Sequence, residues 1–266
     1  MKIALCIKQV PDTTDIKWTE NNTIQREGVE SIINPYDVYA SELVLNLKSK
    51  IEDAHITVFT MGPAQAKEML RKTLALGCDD AVLISDKKFA GSDTYATGLT
   101  ISRAIRTMLP DFDLIVCGQF AVDGDTAQTG PNIANFLDIP QVTYVKDFVD
   151  YSDGKLTLTR EMEDGIETVK VTLPALICVV RQDFEPRRAF INGIISAARK
   201  EIKTCTMADI GLTPEMTGIK GSPTYVSRAF RNLSHHNAQK YKLNVEDSVK
   251  LLGEKLQIFE GINNDR

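Results

Sequence analysis

No Cys-x-x-Cys pair occurs in the chain, and its adjacent histidines, His235 and His236, have no further ligands at metal spacing. A structural or catalytic metal is therefore not expected. No G-x-G-x-x-G follows any of the early strand-like runs, and no G-x-x-x-x-G-K-[ST] occurs, which disfavours the usual dehydrogenase and NTPase folds. A Gly-x-Ser-x-Gly elbow is missing too, so a hydrolase triad has no anchor. No apolar run approaches membrane-spanning length, and "MKIALCIKQV" is interrupted too soon for a signal peptide. The expectation is a soluble, cytoplasmic protein without a membrane partner. Basic excess is also absent: 31 Lys and Arg stand against 36 Asp and Glu, a formal charge of -5, which argues against nucleic acid as a partner. Five cysteines (Cys6, Cys78, Cys117, Cys178, Cys205) are odd in number and mostly set in apolar runs, so they read as buried thiols of a reducing compartment.

What the chain does have is alternation. "KIALCIK", "HITVFTM", "AVLIS" and "DLIVCG" are continuous apolar runs of strand length. Amphipathic stretches separate them. "NPYDVYASELVLNLK" offers Asn34 as N-cap and Pro35 at the first helical position, with Tyr36, Ala40, Leu43 and Leu47 on one face. "PAQAKEMLRKTLALG" starts at Pro63 and stops at Gly77, and Asp93 caps a third helix. This pattern predicts an α/β fold, a mostly parallel sheet with helices on both faces. After Pro140 come strand-like runs joined by "SDGK" and "EDGI", which predict antiparallel hairpin strands extending that sheet. We expect a domain over 1–203 and a C-terminal arm over 204–266, too thin in apolar stripes to stand without another polypeptide.

Ligands of such sheets sit beyond the carboxyl ends of the strands, and "VDGDTAQTGPNIANFLDIPQVT" begins there, after "DLIVCG". Asp125 and Gln128 have capping-box spacing, which places a helix start near Thr126. Gly124 and Ala127 are small, and Thr126 and Thr129 add hydroxyls. Free amides at a helix start bind phosphate, here without help from a lysine. Pro131 requires that the helix bend there or that its regular part begin there. A surface loop leading into an ordinary helix has the same motif shape, and Lys8, just after the first strand, reads equally as a site residue or a solvated lysine.

"CIKQVPDTTDIK", "SIINPYDVYASE", "FTMGPAQAKEMLRKTLALGCDDAVLI", "VDGDTAQTGPNIANFLDIPQVT" and "TREMEDGIETVKVTLPALICVV", in this order and spacing, resemble the beta subunit of electron-transfer flavoproteins. The resemblance implies a heterodimer with an alpha subunit carrying the electron-transferring FAD. It also implies a nucleotide in this subunit, AMP in ordinary members and a second FAD in electron-bifurcating ones, which "VDGDTAQTGP" is similar to. Carried over, the adenosine part would contact Cys6, Asn34, Pro35, Tyr36, Asp37, Met61 and Gly62. The diphosphate would lie over Val122, Asp123, Gly124, Asp125, Thr126, Ala127, Gln128 and Thr129. NAD(H) would be the electron donor, and ferredoxin and a flavin-dependent dehydrogenase the acceptors. "EPRRAFINGIISAARKEI" resembles the family's partner-recognition loop (185–202), with Ile191 as its docking side chain. Bifurcating relatives read Gly-Arg-Gln before the acidic loop, where this chain has Gly118, Gln119 and Phe120.

Overall fold

The computed structural model describes residues 1–12, 31–227 and 239–263; Trp18, His235 and His236 lie outside the described residues. The chain divides into two compact units, Met1–Arg228 and Ala229–Arg266. In chain order the first carries β1 (Lys2–Cys6), β2 (Gln9–Pro11), β3 (Ser31–Ile33), α1 (Pro35–Lys50), β4 (His55–Met61), α2 (Lys67–Leu76), β5 (Asp80–Ile84), α3 (Thr94–Met108) and β6 (Leu114–Gly118). It continues with α4 (Thr129–Leu137), β7 (Gln141–Ser152), β8 (Lys155–Met162), β9 (Gly165–Thr172), β10 (Ala175–Val179), α5 (Ile191–Arg199), β11 (Lys203–Cys205) and the short α6 (Gly218–Gly221).

Among the described residues nine strands form one sheet in the order β11-β5-β4-β1-β6-β10-β7-β8-β9. The pairs from β11 to β7 are parallel, while β7-β8 and β8-β9 are antiparallel. Burial on both faces explains the unbroken apolar runs. Along β1, Ile3 and Leu5 join Val44, Leu47, Leu70 and Leu74 of α1 and α2 on one face. Ala4 and Cys6 join Ile101, Ile105, Ile133 and Leu137 of α3 and α4 on the other. The alternation is the period of two of an extended strand.

The helix signals hold in part. Asp93 caps α3 by accepting from the Tyr95 and Ala96 amides. Pro63 opens a 3-10 turn, Ala64–Ala66, and α2 itself starts at Lys67 and stops at Gly77, whose φ of 123° suits glycine. Between β7 and β8, Asp153 and Gly154 both have positive φ, 52° and 70°, as a two-residue hairpin turn of the right twist requires.

One strand departs from expectation. β10 was expected to extend the antiparallel part, but it lies between β6 and β7 and is parallel to both. Its five residues are all buried, and a strand hidden on both faces belongs inside a parallel sheet rather than at a half-solvated edge.

The segment expected to begin an arm runs along the first unit before it leaves. β11 pairs with β5, and Cys205, Met207, Ile210 and Leu212 enter the α3–α4 core. In the second unit α7 (Val245–Asn263) is capped by Asn244, which accepts from the Asp247 amide at 2.9 Å. It leaves Val245, Val249, Leu252 and Leu256 exposed, a single stripe at helical spacing.

Candidate functional site

The chain leaves β1 towards β4 on one side and returns from β5 to β6 on the other. The strand order therefore reverses at β1, and sheets of this kind bind their ligands in the crevice at such a reversal, here beyond the carboxyl ends of β1 and β6. The sequence-predicted residues converge on this rim. Cys6 ends β1, Asn34 to Asp37 open α1, Met61 ends β4 with Gly62 next, and the loop 122–128 leads from β6 to α4.

Asn34 and Asp37 join the pieces. Asn34 stands at the N-cap position, but its side chain does not cap α1. Its Nδ2 donates to the Phe120 carbonyl at 2.7 Å, and its Oδ1 accepts from the Val122 amide at 3.2 Å. The helix start thereby fixes the beginning of the loop. Asp37 Oδ2 accepts from the Lys8 amide at 2.7 Å and Oδ1 from the Gly118 amide at 2.9 Å, tying α1 to the ends of β1 and β6. Both carboxylate oxygens are thus engaged within the fold. Burial pushes this carboxyl up to about 7, against the opposite pull of the two amides, the Asn34 side chain and the Lys8 charge. Burial, with the Asp37 charge beside it, also raises the Cys6 thiol, so Cys6 is a protonated, buried group at neutral pH.

The loop has a conformation that the sequence did not announce. Asp125 and Ala127 both have positive φ, 49° and 56°, and an N-cap needs extended backbone. The expected capping box is accordingly not formed. Helix α4 begins at Thr129, after Gln128, whose side chain makes no cap and instead accepts from Thr94 Oγ1 at 3.0 Å. Pro131 falls in the first turn, where its missing N–H has no intrahelical role, so no kink is needed. Left-handed Ala127 followed by right-handed Gln128 (φ -102°, ψ -20°) is the alternation that turns successive amides into an anion-binding concavity. Gly124 stands in open space, with no atom within 4 Å of a Cβ built on it.

Two groups that the sequence left undecided or unnoticed belong here. Lys8 Nζ pairs with Asp123 Oδ1 at 2.5 Å, so a lysine does reach the loop. Its place directly after the first buried strand was the available signal. Gln9 is buried, and among the described residues neither its Oε1 nor its Nε2 has a partner. Gln9 opens β2, next in the chain to Lys8, and a buried carboxamide is satisfied by a group that offers both a donor and an acceptor. With the anion concavity and the room at Gly124, the residues present fit a phosphate-bearing nucleotide. Among the described residues no group of three or more His, Cys, Asp or Glu could hold a metal, and no helix is long and apolar enough to cross a membrane.

At the start of α5, Phe190 and Ile191 are 84% and 76% exposed, and Ile194 and Ile195 are exposed with them. Its own anchors are elsewhere. Arg187 makes a two-pronged pair with Glu42 of α1 (2.7 to 3.0 Å) and reaches Asn46 at 2.6 Å. Arg71 of α2 donates to the Ala197 and Lys200 carbonyls. A Cβ on Gly193 would lie 2.3 Å from the Ala75 carbonyl oxygen, so α5 lies close against α2.

Comparison with known proteins gives these features a family. Residues 21–210 match the electron transfer flavoprotein domain. The chain is 45% identical over 231 residues to caffeyl-CoA reductase-Etf complex subunit CarD of Acetobacterium woodii, covering 86% of this chain and 87% of that one. It is 42% identical over 258 residues to an electron transfer flavoprotein subunit beta of Thermoanaerobacterium thermosaccharolyticum, covering 96% and 98%. With protein FixA of Azotobacter vinelandii it shares 44% over 236 residues, 86% and 84% of the two chains. A domain match over most of the chain and relatives aligned nearly end to end leave one assignment: the chain belongs to the electron transfer flavoprotein family, as a subunit of the beta type.

Proposed function

We propose that this subunit binds FAD in the crevice at the ends of β1 and β6, works in a heterodimer with an FAD-bearing alpha subunit, and takes electrons from NADH. It divides them between ferredoxin and, through the alpha-subunit flavin, a flavin-dependent dehydrogenase. The observation that carries this reading is the loop from Val122 to Thr129. It is joined to α1 through Asn34, shaped for an anion at Ala127 and Gln128, and open at Gly124. The relative from Acetobacterium woodii, named as part of a reductase complex, supports it.

A bound flavin supplies the chemistry, accepting electrons as a pair and releasing them singly. This chain's residues bind and orient. Amides of the loop and of the start of α4 hold the diphosphate, with Lys8 adding positive charge. Cys6, Met61 and Gly62 line the adenosine end. The exposed side chain of Ile191, held out by anchors on α1 and α2, docks the dehydrogenase, and the apolar stripe of α7 packs on the alpha subunit. We place both acceptors and the donor in a reducing cytoplasm, as five unpaired buried thiols suit.

The test is nucleotide counting on the copurified heterodimer. Two FAD per heterodimer are expected; one FAD and one AMP would reduce this chain to a plain carrier subunit. Gly124→Val, at a position with room in the fold, should strip the nucleotide from this subunit and leave its circular dichroism spectrum and the alpha-subunit flavin unchanged. Full occupancy of both sites in that variant would move the diphosphate elsewhere.

A further inference from the structure

A cavity of about 380 Å³ lies at the amino ends of the strands, the end of the sheet opposite the crevice. Its walls follow from strand register. Lys203 of β11 pairs with Val82 of β5, Asp80 of β5 with Thr57 of β4, and His55 of β4 with Lys2 of β1. Further along the same strands, at even spacing, come Cys205, Ile84, Phe59 and Ala4 of the α3–α4 core, so the period of two puts all six residues on that face. There α3 ends, and Met108 and Leu109 join Val82 as the apolar side of the cavity. The volume is about ten times a water's share of roughly 30 Å³ and falls in the range of small-ligand sites.

Some of the lining groups are matched within the fold. Asp80 Oδ2 meets His55 Nε2 at 2.8 Å, and Lys2 Nζ pairs with Asp111. Others are not. Thr57 is 6% exposed, yet among the described residues its hydroxyl has no hydrogen-bond partner, and the cavity is the space it opens to. Lys203 Nζ has no acceptor among the described residues either, and Asp80 Oδ1 has no donor. A buried hydroxyl without a partner calls for one. The unmatched groups carry both signs, an ammonium and a hydroxyl donor against a carboxylate oxygen. A lone anion does not suit them, because Asp80 stands among them and α3 brings the negative pole of its dipole to the cavity. A metal does not either, since no group of three or more ligating side chains exists among the described residues.

We propose that this cavity binds a free α-amino acid with an apolar side chain. Its ammonium meets Asp80 Oδ1, its carboxylate takes the Lys203 ammonium and the Thr57 hydroxyl, and its side chain lies on Val82, Met108 and Leu109. A ligand with one charge leaves the other sign unmatched, and one with no apolar body leaves the floor beside α3 uncovered. The site is independent of the nucleotide reading, because the crevice and the cavity lie at opposite ends of the strands.

Calorimetric titration of the intact complex with L-leucine, 3-methylbutylamine and 4-methylpentanoate separates the two charges. Leucine should bind saturably. The amine lacks the carboxylate and the acid lacks the ammonium, so each should bind about tenfold more weakly or worse. Lys203→Met keeps the stem and loses the charge, and Thr57→Val keeps the shape and loses the hydroxyl. Each should weaken leucine on the order of tenfold and, because neither side-chain group has a partner in the fold, leave the thermal midpoint and the nucleotide content unchanged. Absence of saturable leucine binding would overturn the proposal. So would an amine or acid that binds as tightly as leucine, or native leucine affinity in either variant. Should a variant fail to fold, the comparison of the three ligands on the native protein decides alone.

Discussion

Helix α1 carries two buried carboxylates five residues apart, and they are held in opposite ways. Asp37, 5% exposed, accepts two backbone amides from the ends of β1 and β6. Glu42, 8% exposed, accepts the Arg187 guanidinium and amide. Burial wins at Asp37 and lifts its carboxyl to about 7. At Glu42 burial pushes upward too, but the hydrogen bonds and charge of Arg187 outweigh it and hold the carboxyl below its ordinary value. The difference separates two kinds of joint. The amide-held acid fastens strands and helix of the fold to one another, at the crevice. The arginine-held acid fastens a surface segment to the finished fold, and Arg187, 39% exposed at its side chain, keeps much of its charge in water.

The strand joint should break hardest. A Cβ on Gly118 would lie 2.4 Å from Asp37 Oδ1, 2.7 Å from Tyr36 Cβ and 2.8 Å from the Tyr36 carbonyl carbon. Backbone cannot yield as a side-chain tip does, so Gly118→Ala should cost about 3 kcal/mol of stability. Gly124→Ala, with nothing within 4 Å, should stay within about 0.5 kcal/mol. Equal urea midpoints for the two variants would erase the contrast between joint and open loop.

pH sharpens the same comparison. The folded value of Asp37, about 7, lies above its ordinary 3.8, so its contribution to stability is full below about pH 4 and is lost as pH rises through 7. Glu42 is held below its ordinary 4.5, so its contribution is present above that value and is lost as pH falls through the folded one. In denaturation midpoints from about pH 3 to about pH 8, Asp37→Asn should flatten the decline on the neutral side. Glu42→Gln should flatten the acid limb. An unchanged neutral slope in Asp37→Asn would assign that titration to another group.

How far these features were legible follows from the physics of each. The parallel core was readable because strands buried on both faces leave unbroken apolar runs, and the Asp-Gly turn at 153–154 was readable because its positive φ values select those residues. The start of α4 was misplaced because capping-box spacing constrains side chains, while the left-handed Asp125 is a backbone property that aspartate tolerates without announcing it. β10 was misassigned to the antiparallel part because its neighbours are set by a crossover, although its full apolarity was the clue. Gln119 could not be read at all. Its partner is the Tyr144 amide, freed by a bulge 25 residues away, and no local pattern marks such a pair.

The exposed segment should show the smallest effect on folding and a clear one on association. Ile191 is 76% exposed, and the bonds that hold its helix, from Arg71, Arg187 and the close approach of Gly193, do not involve its side chain. Truncating it therefore removes little buried surface, and Ile191→Ala should leave the thermal midpoint of the heterodimer within the shift of about 0.5 kcal/mol typical of surface changes. An aliphatic side chain standing free among Arg187, Arg188 and Arg199 has the arrangement of an apolar anchor with a charged rim. Against the proposed flavin-dependent dehydrogenase partner, the variant should lose about 1–2 kcal/mol of affinity, read by surface plasmon resonance, with flavin content intact. Loss of thermal stability with unchanged affinity would mean that Ile191 packs within its own subunit and that the free end of this comparison is no docking surface.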